Sequence, residues 1–265
     1  MMETPVDIPI VSQILKSRLM TPESIAEGRR AYALVDGALL QASLPALRAQ
    51  WPARRGISLL TGADDDALEV GPLLYELSVE ELGEAAAEQF FNGEAGQSVA
   101  SFIVSPLGPK ALAAHLAPLV EVQLADQKTV IMRFFDPRVL EFWLADLPAN
   151  YQAYLAQGVR ALVQWDSDLQ VQVYAFEPPT EPPAVVFPMK LSERQEDDFL
   201  TACYPHTFVE RFRTEHAELL VQIPPEQRYR FFREQMARCR SHGIEGAPAM
   251  EMYCALAIEA LKGSF

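Results

Sequence analysis

The chain has 265 residues, of which 49% are hydrophobic and 22% charged, and a formal net charge of −14. That composition belongs to a folded globular protein of one large domain or two small ones and excludes extensive disorder. The acidity argues against nucleic acid and anionic membrane as partners, because each calls for a basic face.

The first twenty residues contain no basic region followed by an apolar run, so no signal peptide is expected. No window approaches the ~20 apolar residues of a membrane span. Ile10–Met20 reads as a helix, and Thr21-Pro22-Glu23 as the cap of a second, with proline at its first position. Tyr32–Val35 is a short buried strand ending at the turn signal Asp36-Gly37. Leu44–Trp51 is a short helix, and Ile57–Leu60 and Leu73–Leu77 are strand candidates. A helix over Glu80–Phe91 closes at Asn92-Gly93. Val99–Val104 is strand-like, stops at Ser105-Pro106, and precedes a helix reaching about Leu116.

Leu119–Leu124 and Thr129–Phe135 pair as a hairpin. Helices follow from Asp136 to about Ala145 and over Ala149–Gln157. Arg160–Trp165 and Leu169–Phe176 flank Asp166-Ser167-Asp168 as a second hairpin. Glu177–Pro188 carries five prolines, which forbid a regular helix and favour extended chain. Beyond it strands vanish, and Ser192–Lys262 reads as three or four helices broken at Ile223-Pro224-Pro225. The expected organisation is a helical segment over 1–30, an α/β domain over 31–177 with a mixed sheet covered by helices, a proline-rich linker over 178–188, and a small all-helical lobe over 189–265.

Charge divides unevenly along the chain. Residues 190–265 hold 10 Lys+Arg and 12 Asp+Glu, a net of −2, which leaves 12 against 24, a net of −12, for the rest. A basic partner surface suits that first part, although solubility alone accounts for much acidity. Cys203, Cys239 and Cys254 form no paired framework and read as reduced thiols of a cytoplasmic protein.

The stretch Thr129–Leu144, TVIMRFFDPRVLEFWL, is the most informative. Alternation puts Val130, Met132 and Phe134 on one face and Ile131, Arg133 and Phe135 on the other. Both faces are largely apolar, so a central strand covered on both sides is expected, and Arg133 there needs a carboxylate or a route to water. Asp136 caps the next helix and Pro137 takes its first position. Arg138 in the first turn opposes the helix dipole and calls for compensation from Asp36 or Asp136. Arg133, Asp136 and Arg138, with Asp36, form either an ion network that fixes the strand-to-helix crossing or part of a partner-docking surface. No nucleophile or base is paired with them.

These residues resemble the type VI secretion effector chaperone or adaptor family, whose domain carries a phrase close to FRFYDPRVL. The likeness spans roughly Tyr32 to Ala156. It rests on YALVDGA at Tyr32–Ala38, the Ser105-Pro106-Leu107 step and RFFDPRVLEFWL at Arg133–Leu144, with Phe135 where tyrosine is expected. The helical tail, including His242–Leu261, is similar to the family's C-terminal extension. The resemblance implies a cytoplasmic, non-enzymatic protein of a Gram-negative host, without cofactor. Its partners would be a toxic effector and the spike protein onto which that effector is loaded, with the two lobes dividing the task.

Other chemistry competes. Cys203 with His206, and Cys239 with His242, are two C-x-x-H pairs that would suit zinc, in a metal-dependent enzyme or a zinc-binding protein, although buried cysteines and ordinary histidines look the same. Asp166-Ser167-Asp168 matches the D-x-D of nucleotide-sugar transferases, but hairpin turns rich in Asp do too. Asp64-Asp65-Asp66 reads as a helix start. Tyr229, Phe231, Phe232 and Arg233 are candidate interface anchors, to be distinguished from a packed helix by whether both phenylalanines are exposed. The chain contains no G-x-S-x-G, H-E-x-x-H, Walker A or G-x-G-x-x-G motif.

Overall fold

The computed structural model describes residues 11–60, 62, 64–93 and 97–262; Ile10, the first residue of the expected opening helix, lies outside them. Helix α1 (Val11–Ile14) runs on into a π-helical turn over Leu15–Leu19, burying Val11 and Leu15. Thr21 then caps α2 (Pro22–Ala26), accepting from the Ser24 N–H at 3.3 Å with Pro22 at the first position.

Strand β1 (Arg30–Asp36) is buried along almost its whole length, and its apolar run without alternation is what a strand covered on both faces requires. Asp36 ends it and caps α3 (Gly37–Ser43), so the expected turn at Asp36-Gly37 is a strand-to-helix step. Gly37 is needed there for space: a Cβ would lie 2.7 Å from the Gly71 carbonyl oxygen and 2.8 Å from that of Glu69. Helix α4 (Pro45–Gln50), strand β2 (Ile57–Ser58), helix α5 (Asp65–Val70, capped by Asp64) and strand β3 (Pro72–Leu77) follow as expected.

The helix expected over Glu80–Phe91 is interrupted. Helix α6 (Val79–Gly83) stops at a glycine, Ala85 takes φ +58°, and a 3₁₀ turn over Glu88–Phe90 leads into β4 (Phe91–Asn92), paired with β5 (Gln97–Ser98). The reason is tertiary. Ser12 accepts the Ala87 N–H at 3.0 Å, a donor that a continuing helix would use, and donates its own N–H to the Glu88 side-chain carboxylate at 2.8 Å, so α1 holds this stretch from outside.

Strand β6 (Ala100–Ser105) and helix α7 (Pro109–Leu116) precede a small hairpin, β7 (Glu121–Gln123) with β8 (Thr129–Ile131). After helices α8 (Pro137–Asp146) and α9 (Ala149–Gly158), strands β9 (Ala161–Trp165) and β10 (Val171–Ala175) form the second hairpin. The main sheet has the order β10-β9-β6-β1-β3-β2 and is antiparallel throughout. Alternate residues of β1 divide between two cores. Tyr32 and Leu34 join the side packed by residues of α7, α8 and α9, whereas Ala31, Ala33 and Val35 join the side of α1, α3 and α4.

The proline-rich segment is tied down on α9. Asn150 donates to the Ala184 carbonyl at 2.9 Å, Tyr151 to that of Val186 at 2.5 Å, and Phe187 packs edge-on against Tyr151 and Tyr154. A further strand follows it, contrary to expectation: β11 (Met189–Lys190) pairs parallel to β7, so the small three-stranded sheet is the mixed one. Ser192 then opens α10 (Glu193–Glu215) with a capping box. With α11 (Ala217–Leu220), α12 (Pro225–Ser241) and α13 (Ala247–Lys262) it forms a helical lobe around Phe208, Phe212, Phe232, Met236, Cys254 and Ile258. The architecture is an α/β domain carrying a helical C-terminal lobe, and α10 lies against α8 of that domain.

Candidate functional site

The Asp-Pro-Arg junction differs from the expected buried strand. β8 ends at Ile131 as an exposed edge strand, with Val130 39% and Ile131 56% accessible. Beyond it the chain folds as a loop: the Met132 N–H reaches the Val120 carbonyl at 2.7 Å and the Asp136 N–H that of Arg133 at 2.9 Å. Met132, Phe134 and Phe135 are all buried, which alternation forbids, because an irregular backbone can turn consecutive side chains inward. Phe134 stacks on Trp143 of α8 with centroids 4.9 Å apart, and Phe135 packs edge-on against Phe134. Arg133 is not sealed in the core, since its side chain is 45% accessible.

The four residues singled out in the sequence meet here. Asp36, fully buried at the end of β1, accepts the Leu39 N–H at 3.0 Å through Oδ1 and Arg133 through Oδ2. Arg133 also lies 3.4 Å from Asp136. Asp136 caps α8, accepting the Arg138 N–H at 3.0 Å. The same oxygen takes Arg138 Nε at 3.0 Å, and Oδ2 takes Nη2 at 2.8 Å. The cation that opposes the helix dipole is thus held by the cap itself. Arg138 Nη1 reaches Glu210 of α10 at 3.4 Å, and Glu210 pairs with Arg213. The chain of charges runs from the main sheet, through the loop, to the helical lobe.

Burial acts to raise the Asp136 pKa, but the Arg138 hydrogen bonds and the charges of Arg138 and Arg133 outweigh it and hold the carboxyl below its ordinary value. Burial likewise opposes the Arg138 charge, and Asp136 and Glu210 more than restore it.

A second contact between domain and lobe carries no sequence signal, because its members lie on α8, the β9–β10 turn, α10 and α12. Ser167 hydrogen-bonds Glu141 and lies 3.0 Å from His206 Nε2, while the His206 ring stacks on Tyr229 at 4.6 Å. Burial, helped by the Arg138 charge, lowers the His206 pKa to about 3, so this imidazole is neutral. Burial and the nearby Asp166 and Asp168 raise that of Glu141 against the Ser167 bond. The adjoining cavity is about 40 Å³, room for a few waters rather than a substrate. The carboxylate holds the hydroxyl and not the imidazole, so the arrangement lacks the oriented base of a nucleophilic triad. It is a polar fastening, joined by Arg230 to Asp168 at 2.7 Å.

Asp166 makes an Asx turn, accepting the N–H groups of Asp168 and Gln170 at 2.9 and 2.8 Å. Of the candidate anchors, Phe232 is fully buried and Tyr229 is 6% accessible, with its hydroxyl on the Ala202 carbonyl at 3.2 Å. Both are packing residues of the lobe, which corrects the expectation that the cluster presents anchors to a partner; Phe231 is half-buried and Arg233 exposed. Cys203, His206, Cys239 and His242 do not assemble. Among the described residues the one group able to converge on a metal is Glu215, His216 and Glu251, and Arg211 already pairs with both carboxylates. Burial pushes the Cys203 thiol up to about 11 and that of Cys254 to about 12, which leaves little thiolate at neutral pH. No described helix is long and apolar enough to cross a membrane.

No curated protein and no solved structure matches the chain. Residues 31–154, from the start of β1 into α9 and including the whole Asp-Pro-Arg junction, match the family model described as a domain of unknown function, DUF4123.

Proposed function

We propose that the protein is a non-enzymatic cytoplasmic adaptor that binds a type VI secretion effector and helps load it onto the spike protein. The observation that carries this reading is the family-model match over residues 31–154, which coincides with the region that resembles the effector chaperone or adaptor family. The junction suits the role physically. Its charges fasten the helical lobe to the α/β domain, and Arg133, accessible at one end of the network, offers a guanidinium to a partner. Beside it, β8 presents a short open edge. Such a protein acts by recognition alone and needs no cofactor.

The test is affinity purification of the tagged protein from its native host, with identification of what elutes. Recovery of one toxin-like effector together with a spike protein is the expected result. A partner-free preparation that holds stoichiometric zinc or turns over a substrate would overturn the reading.

A further inference from the structure

Strand β10 is one end of the main sheet, and among the described residues no strand pairs with its outer side. The register shows which of its backbone groups face outward. The Asp166 N–H donates to the Gln170 carbonyl at 2.8 Å and the Phe176 N–H to that of Arg160 at 2.9 Å. Bonded positions recur at every second residue of an antiparallel ladder, so Gln172 and Tyr174 bond their partners Gln164 and Leu162. Val171, Val173 and Ala175 therefore turn their N–H and C=O groups away from β9, and these groups make no hydrogen bond among the described residues. Val173 is 42% accessible and Ala175 is exposed.

Such an edge dictates its occupant. Donors and acceptors repeated at every second residue are matched by another extended backbone. Proteins commonly guard an open edge with lysine, proline or a bulge. β10 reads VQVYA, without charge or proline, and its five residues exceed the three of β8. The surrounding charge adds chemistry. From Ala161 to Met189 the chain holds no lysine or arginine but four acidic residues, Asp166 and Asp168 before β10 and Glu177 and Glu181 after it. Arg230 answers Asp168, whereas Glu177 and Glu181 are exposed and form no ion pair among the described residues.

We propose that the outer edge of β10 docks an extended segment of a partner protein, which adds a strand to the six-stranded sheet through backbone hydrogen bonds and sets basic residues against Glu177 and Glu181. The proposal rests on the adaptor reading for the existence of a partner. A second copy of the chain fits less well: pairing antiparallel about Val173 would bring Glu177 of each copy beside the Asp166–Asp168 turn of the other, and like charges oppose it.

The test uses the whole protein and short labelled synthetic peptides in fluorescence anisotropy. Two peptides alternate valine and threonine, one with lysines at both ends and its twin with glutamates. A third is the lysine peptide methylated on its central backbone nitrogens. The lysine peptide is expected to bind about tenfold tighter than its twin, and methylation to abolish binding. Val173→Pro should abolish it too, since it removes an outward N–H that the ladder does not use, and should keep the wild-type circular dichroism. Glu177→Lys should erase the preference between the twins. Equal binding of the twins, binding by neither, or full binding of the methylated peptide overturns the proposal, and the last needs no variant to fold. So does a wild-type dimer in light scattering that Val173→Pro dissociates, which would assign the edge to a second copy. Neither effector nor spike protein enters the experiment, so its failure leaves the adaptor reading standing.

Discussion

Arg138 grips both oxygens of Asp136, with Nε 3.0 Å from Oδ1 and Nη2 2.8 Å from Oδ2, while Asp136 caps the helix that Arg138 begins. Each residue answers a difficulty created by the other. The buried carboxylate gains a two-pronged counter-charge, and the cation at the helix N-terminus gains an anion that outweighs the dipole. The cation's remaining amino group reaches Glu210, so the same pair also fastens the helical lobe.

Asp136→Asn keeps an oxygen able to cap but removes the charge. It should destabilise the protein by about 3–5 kcal/mol, because Arg138 and Arg133 lose their shared anion. Chemical denaturation at pH 7 measures this. The acid limb should change as well. The folded-state pKa of Asp136 lies below its ordinary value, so the contribution is present above about pH 4 and is lost as acid protonates the folded carboxyl. That loss should be absent from the Asn variant.

The link between Arg138 and Glu210 spans 3.4 Å, and the side chains are 18% and 30% accessible. A double-mutant cycle with Arg138→Ala and Glu210→Ala should give a coupling of about 0.5–1 kcal/mol, modest for a partly solvated pair. Zero coupling would detach the lobe from the network.

Glu141 is held in a negative neighbourhood. Burial first, then Asp166 and Asp168, raise its pKa, so the folded state binds that proton more tightly than the unfolded chain does. Stability therefore falls as pH rises through the folded value. Glu141→Gln should raise Tm at pH 7.5, on the order of 2–4 °C, and make little difference at pH 4. A thermal scan at both values decides it.

Phe231 and Phe232 are neighbours with opposite duties. Phe232 sits in the core of the lobe against Phe208 and Phe212, whereas Phe231 lines a surface groove between α12 and α13. Phe232→Ala should cost about 3–5 kcal/mol in denaturant titrations, and Phe231→Ala clearly less.

Much of the order of elements was legible where a local marker stood, as at Thr21-Pro22, Ser105-Pro106, Asp136-Pro137 and the break at Ile223-Pro224-Pro225, whereas α3, the β4–β5 pair and β11 had no such marker and were missed. The Asp-Pro-Arg phrase was legible in part: Asp136 was at hand as a counter-charge for Arg138, but the pairing of Arg133 with Asp36 and the reach of Arg138 to Glu210 join residues far apart in sequence and could not be read from it. What misled was period. Thr129–Phe135 alternates like a two-faced strand, but only Thr129–Ile131 pairs, and the remainder buries its rings as a loop. The Ser167, Glu141 and His206 contact was invisible because its members are far apart in sequence and meet only when α10 settles on α8. The anchor cluster failed for a related reason. Helical phase separates Phe231 from Phe232, and sequence adjacency says nothing about which of them faces inward.

The most direct test of the adaptor account is co-expression of the effector recovered with this chain, in the presence and absence of the chain, followed by size-exclusion chromatography with light scattering. The account predicts that the effector is soluble and loads onto the spike protein only with the chain present, eluting with it as a defined complex. An effector that is soluble, free of the chain and loaded equally well without it would contradict the account.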